Sequence, residues 1–377
     1  MKQGRDIREL AAEIYRQNEA KRDFVAPTTS VEMVLAGARS GMIGEDTFIE
    51  GNNCLAPRAV PTQPTMALMG ITDRFMVTPH THSQIAAHLN IPKKFYDDLL
   101  AKDPDLLSVT VNTLFRRRPA ERLVRTMDGN ARAFLSNRFR PIDNKEVAEV
   151  ILDIFAGSQA QIASCEITES KLYLKALFPK VQGEIARGDV VQMGVVVSNS
   201  EIGQGRFAVQ PLIMRLVCTN GMILNDGSVK RAHLGMRHEV DGDGWATEFA
   251  KSDTLAAMDK ALMLQVRDTV TALSTPAKIE HFIGKFRDAA EQRIEGDPVK
   301  VIETIQKKAN LTEDDRGGIL RHLIEGGDLS RWGVSNAITR YSQDVHSYDK
   351  ATDLELLGGQ IIELQQGEWR SIVKSAA

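Results

Sequence analysis

The spacing of apolar residues changes along the chain, and each change predicts a different kind of element. Near the start, Ile7, Leu10, Ile14 and Tyr15 form a thin stripe at helical spacing within a charged stretch. This predicts a helix over residues 1–24, ended by "VAPTTS". Residues 25–79 hold Pro27, Pro57, Pro61, Pro64 and Pro79 and lack a sustained period, which predicts a loop-rich segment. In "SQIAAHLNIPKKFYDDLL", Ile85, Leu89, Ile91, Phe95 and Leu99 predict two short helices broken at Asn90–Pro92.

The pattern then becomes β-like. "RLVRTM" and "ARAFLS" flank "DGN", whose Asp-Gly pair tolerates positive φ, so a hairpin is expected. "NKEVAEVILDIFAG" returns to helical spacing through Val147, Val150, Ile151 and Ile154, with Asn144 as the expected N-cap and Gly157 as the stop. "QAQIASCEIT" and "KLYLKALF" alternate around Glu169–Ser170 as a second hairpin. "DVVQMGVVVSNSEI" and "GRFAVQPLIMRLVCTNGMIL" read as two longer strands joined at Gly203–Gly205. From Trp245 onward stripes at helical spacing follow one another, among them Leu255, Met258, Leu262, Val266 and Val270, and Phe282 with Phe286.

The expected fold class is therefore α+β. A central antiparallel sheet with a packed helix, in the order β-β-α-β-β-β-β, is followed by a C-terminal helical bundle. The expected division is 1–80 for the N-terminal helix and loop-rich segment, 81–113 for a helical hairpin, 114–238 for the α+β core and 239–377 for the helical region.

Composition narrows the class. At 377 residues, with 42% hydrophobic and 26% charged side chains, the chain can bury a sizeable core. It has no apolar run long enough for a membrane helix, and its first residues lack the apolar centre of a signal peptide. Three scattered cysteines, Cys54, Cys165 and Cys218, fit a reducing compartment, so a cytoplasmic protein without membrane contact is expected. The net charge of −3 is unevenly spread: residues 239–377 hold 17 basic against 24 acidic side chains, net −7.

Against that background one stretch stands apart. Between Arg116 and Arg140 there are eight arginines and no lysine, opposed only by Glu121 and Asp128, a net charge of +6. The eight are Arg116, Arg117, Arg118, Arg122, Arg125, Arg132, Arg138 and Arg140. Arginine without lysine suits a planar grip on phosphate or carboxylate. Phe115, Phe134 and Phe139 are interleaved with it, and Phe134 or Phe139 could stack on bases. This combination points to single-stranded nucleic acid, DNA before RNA. The plain alternative buries the rings and pairs the arginines with acids.

Other motifs carry less. The 83–100 helical hairpin resembles a helix-turn-helix, but Asp97 and Asp98 follow Lys93 and Lys94 where a duplex reader wants positive charge. His80, His82 and His88 lack the partners of a metal site. Gly203 and Gly205 are too few for a dinucleotide loop, and no phosphate loop is present, so no cofactor is expected. "CTNG" places Cys218 in a turn signal with no histidine nearby in sequence.

Three segments, "VRTMDGNARAFLSNRFRPIDNKEV", "GVVVSNSEIGQGRFAVQPLIMRLVCTNGMI" and "RWGVSNAITRYSQD", resemble phage- and plasmid-borne proteins of the family known as domain of unknown function 932. The resemblance runs from Arg122 to the C-terminus and is strongest over Arg122–Leu224. It implies no reaction and no catalytic residues. More distantly, the chain looks like phage single-strand annealing proteins, which implies ring or filament oligomers, no ATP and a basic groove on the DNA backbone. The resulting expectation is a non-enzymatic protein that binds or anneals single-stranded DNA, acting as a homo-oligomer. Two rivals stand beside it. One is a metal-dependent nucleic-acid enzyme using Asp189, Glu201 and Asp226; the other is a protein that binds a host factor through its acidic helical half.

Overall fold

The structure is a computed structural model that describes residues 1–35, 64–231 and 252–375, with the side chains of 252–256 left aside. Cys54, Trp245 and the prolines at 57 and 61 lie outside what is described, as does the side chain of Leu255. The chain divides into two compact units, Arg16–Arg140 and Met1–Tyr15 with Pro141–Ala377. Helix α1 (Ile7–Ala20) opens the chain and buries Leu10 and Ile14 from its predicted stripe.

The Arg16–Arg140 unit contains β1 (Arg22–Pro27), β2 (Val31–Leu35), β3 (Pro64–Leu68), β4 (Arg74–Val77), α2 (Pro79–His88), α3 (Lys93–Lys102), α4 (Pro104–Arg117), β5 (Glu121–Met127) and β6 (Asn130–Ser136). Its six strands lie in the order β1-β5-β6-β4-β3-β2, antiparallel except where β4 meets β6. The predicted break between α2 and α3 is present, with Asn90 left-handed at φ 56. Ile85, Leu89, Tyr96, Leu107, Val111 and Phe115 of the helices close over Val31, Met66, Phe75, Val124 and Phe134 of the sheet as one core. The β5–β6 hairpin turns through Asp128 and Gly129, at φ 50 and 74, as Asp-Gly favours.

The second unit continues with α5 (Asn144–Gly157), β7 (Gln161–Ile167), β8 (Leu172–Glu184), β9 (Val190–Asn199), β10 (Phe207–Arg215), β11 (Asn220–Ile223) and β12 (Val229–Arg231). The helices α6 (Ser252–Leu273), α7 (Pro276–Glu291), α8 (Pro298–Ala309), α9 (Glu313–Gly326), α10 (Arg331–Tyr341), α11 (Tyr348–Glu363) and α12 (Gln366–Lys374) follow. Its sheet runs β11-β10-β9-β8-β7, with β12 also on β10, and is antiparallel throughout.

The α+β class holds, with helices after the strands; the order β-β-α-β-β-β-β is met from β5 to β10, but the last predicted strand is divided into β10 and β11, and β12 follows. The strands of that order are shared between two sheets: the hairpin carrying the arginines belongs to the first, and β7–β11 form the second. Helices α6 and α7 join the sheet's core through Val266, Phe282 and Phe286, while α8–α12 share another core around Ile302, Ile319, Val334 and Trp369. None of the described helices is long and apolar enough to cross a membrane.

Candidate nucleic-acid interface

The β5–β6 register sets where the arginines fall. Arg122 pairs with Ser136 and Val124 with Phe134, so the entry of β5 and the exit of β6 lie at one end, opposite the Asp128–Gly129 turn. Asn137 donates to Glu121 at 3.1 Å across that end. Arg116 and Arg117 close the last turn of α4, and Arg118 caps it immediately before β5. Cations are favoured there because the last carbonyls of a helix carry partial negative charge. Arg138 leaves β6 at the same end. The guanidinium groups of Arg116, Arg117, Arg118 and Arg138 are exposed and make no hydrogen bond or ion pair with any described residue.

The other four arginines are placed differently. Arg122 is half-buried; it bonds to His88 Nδ1, and its guanidinium lies 5.8 Å from the centre of the Phe134 ring. Burial lowers its pKa, and burial with the neighbouring Arg122 charge brings His88 down to about 4. A neutral His88 can then accept the Arg122 N–H. Arg140 is half-buried and already engaged. Arg132 is 9% exposed and Arg125 0%. Arg125 donates to Asp23 on neighbouring β1 at 2.9 Å, so it belongs to the interior and is not available to phosphate.

The aromatic part of the expectation is corrected too. Phe134 is 3% exposed and Phe139 8%. Phe134 stacks on Phe115 with centroids 5.5 Å apart, inside the core under α2 and α4. On a sheet covered by helices, the face that carries Val124 also buries its cross-strand partner Phe134. Neither ring is presented to a base.

The acids proposed for a metal site are each held by other groups. Asp189 receives two bonds from Arg215, at 2.6 and 3.0 Å. Asp226 accepts from Lys285 at 2.6 Å and lies 2.9 Å from His281. Glu201 accepts the Asn144 N–H at 2.8 Å and so supplies the cap at the start of α5. The cap position itself is Asp143, one residue before the expected Asn144, and its own side chain makes no capping bond. Asn199 completes the arrangement through Ile142 O and Asn144 Oδ1, both at 2.8 Å. The "SNSEI" motif is thereby a clamp on α5. Of the histidines, His82 is buried with Nδ1 2.9 Å from the Tyr96 hydroxyl. Among the described residues no group of three His, Cys, Asp or Glu could hold a metal ion.

A buried network went unread in the sequence. Lys175 on β8 bonds Glu355 of α11 at 2.5 Å and Thr352 at 3.1 Å, and it sits 4.7 Å from the Tyr348 ring centre. Both charged side chains are fully buried. Only the polar residue at the centre of an otherwise apolar strand signalled it.

Residues 133–355 match the family described as Domain of unknown function (DUF932). The chain belongs to that family. The match runs from within β6 to within α11, taking in Arg138 and Arg140 but not Arg116, Arg117 or Arg118. No curated protein and no solved structure matches the chain.

Proposed function

We propose that the arginine end of the β5–β6 hairpin binds single-stranded nucleic acid, DNA in preference to RNA, through its phosphates. The observation that carries this reading is the set of four exposed guanidinium groups at Arg116, Arg117, Arg118 and Arg138, which have no partner among the described residues. Arg122 and Arg140 stand behind them, half-buried. With Phe134 and Phe139 in the interior, the grip is on the backbone, and the base edges stay free. A strand held in that way can pair with its complement, so strand annealing without ATP is the activity that follows. A homo-oligomer would align several weak sites along one strand.

The test is fluorescence anisotropy with labelled single-stranded and duplex oligonucleotides over a salt series. Four phosphate contacts on a single strand predict a log–log salt slope of about −3. Joint replacement of Arg116, Arg117 and Arg118 by alanine removes three contacts and brings the slope to about −1. No binding at low salt, or an unchanged slope in the triple variant, would overturn the proposal.

A further inference from the structure

Helix α4 packs into the core of its unit through Leu107, Val111 and Phe115. Its outer face is not polar throughout. Leu106 is 52% exposed and Val109 63%, and three residues apart they lie on one side of the helix. Half-buried Thr113 and exposed Arg116 continue that side one and two turns beyond Val109, and exposed Asp105 lies one turn before it. Asn112, at the edge of this face, exchanges two bonds with the Met33 backbone of β2, at 2.8 and 2.9 Å, which fixes α4 on the sheet and holds the face outward.

The charges on this face are ordered. Asp105 is in the first turn of α4 and Arg116 in the last, and neither makes a hydrogen bond or ion pair with any described residue. The face is acidic at one end, apolar in the middle and basic at the other. An acidic partner would answer Arg116 alone, and a basic one Asp105 alone. A second copy turned end over end answers both, because the surface is then complementary to itself. About a two-fold axis between residues 110 and 111, position 105 faces position 116 of the other copy, and Val109 comes against the partner helix near the centre. Eleven residues at 1.5 Å each set the two charges about 16 Å apart along the helix, so both ion pairs form with the apolar residues between them.

We propose that α4 docks antiparallel on α4 of a second copy of this chain, burying Leu106 and Val109 and setting Asp105 of each copy on Arg116 of the other. One helix face is a small interface, so the pairing is weak and reversible. Arg116 is also one of the four groups proposed above to hold phosphate. A strand and a second copy then compete for it, a consequence that rests on the phosphate reading as the pairing itself does not. The paired form is a resting state that single-stranded nucleic acid opens.

The full chain is followed by sedimentation velocity over a concentration series without nucleic acid. The expected result is a monomer–dimer equilibrium. Asp105→Arg and Arg116→Asp should each weaken it about tenfold, the scale of two exposed ion pairs. The variant carrying both changes should pair again, because the same contacts re-form with their signs exchanged. Leu106→Ser with Val109→Ser, at exposed positions that leave the core intact, should give a monomer. A monomer at every concentration, single variants that pair as well as the original chain, or a charge-exchanged variant no better than the singles would overturn the proposal. The competition is read separately by adding a labelled thymidine oligonucleotide. Binding with loss of the dimer supports it, and a strand bound to an intact dimer overturns it. No strand bound by either the dimer or the Leu106→Ser, Val109→Ser monomer overturns the phosphate reading and leaves the pairing to stand on the charge exchange.

Discussion

Replacing Glu355 by glutamine tests the buried Lys175–Glu355 pair directly. The ammonium would keep Thr352 Oγ1 at 3.1 Å and the face of Tyr348 at 4.7 Å, but lose the counter-charge that sits 2.5 Å from it. Removing one partner of a buried ion pair costs about 3–5 kcal/mol, because the other charge is left uncompensated away from water. Thr352 Oγ1 and the Tyr348 face leave the ammonium partly compensated, which places the loss at the low end of that range. The loss for Glu355→Gln should therefore fall near about 3 kcal/mol.

The reverse change should cost more. Among the described residues Glu355 Oε1 has no hydrogen-bond partner, so Lys175→Met strips the carboxylate of its bond to the ammonium, and a loss nearer about 5 kcal/mol is expected. Lys175→Met combined with Glu355→Leu removes both charges and should cost less than either single change, because apolar groups of similar size fill buried ion-pair sites well. Urea unfolding of the four proteins closes a double-mutant cycle. Near-zero single effects, or a double variant as destabilised as the sum of the singles, would refute a desolvated, mutually dependent pair.

Three more outcomes can be checked with point variants. Phe134→Ala should cost about 3–5 kcal/mol of stability by opening the core beside Phe115, while the folded fraction keeps its nucleic-acid affinity; normal stability with lost binding would return the ring to the surface. His82 is held down to about 4 by burial, with Lys93 adding to it, so the unfolded chain takes up that proton first as pH falls. Stability should be level above about pH 6.5 and fall towards pH 4, with about 3 kcal/mol of the fall coming from His82; His82→Gln should remove that share and leave the part due to His88, which titrates over the same interval. Gly359→Ala would set its Cβ 1.9 Å from the Ile223 carbonyl and should destabilise by about 1–3 kcal/mol, whereas Gly284→Ala, in open space on α7, should gain about 0.5–1 kcal/mol; thermal melts separate the two.

What could be read in the sequence was what neighbouring residues encode together. Asp128–Gly129 specifies its turn because both positions need positive φ, and the spacing of Val147, Val150, Ile151 and Ile154 specifies the helix α5, in which Val147 and Ile151 are buried and Val150 and Ile154 half-buried. Alternation also placed Arg122 and Val124 on one face. It could not say which face helices would cover, and that decided the fate of Phe134. Nor could it place Asp23 beside Arg125, because β1 and β5 are neighbours only in the folded sheet. The division of the strands between two sheets was hidden for the same reason: β1–β4 are short and lie in or near the proline-rich stretch, where no period survives. Glu201 read as a possible metal ligand because its partner, the α5 N-terminus, lies 57 residues away. Cys218 read as a turn residue because most of the residues around it in space come from α9 and α10.

The reach of the family match divides the arginine end. Arg116, Arg117 and Arg118 lie before residue 133, while Arg138 and Arg140 lie within 133–355. A role shared across the family must be carried by residues inside the matched span, which the arginine end enters only through Arg138 and Arg140. Phosphate binding resting on Arg116–Arg118, as proposed above, would then belong to this chain's Arg16–Arg140 unit, added to whatever the matched span does.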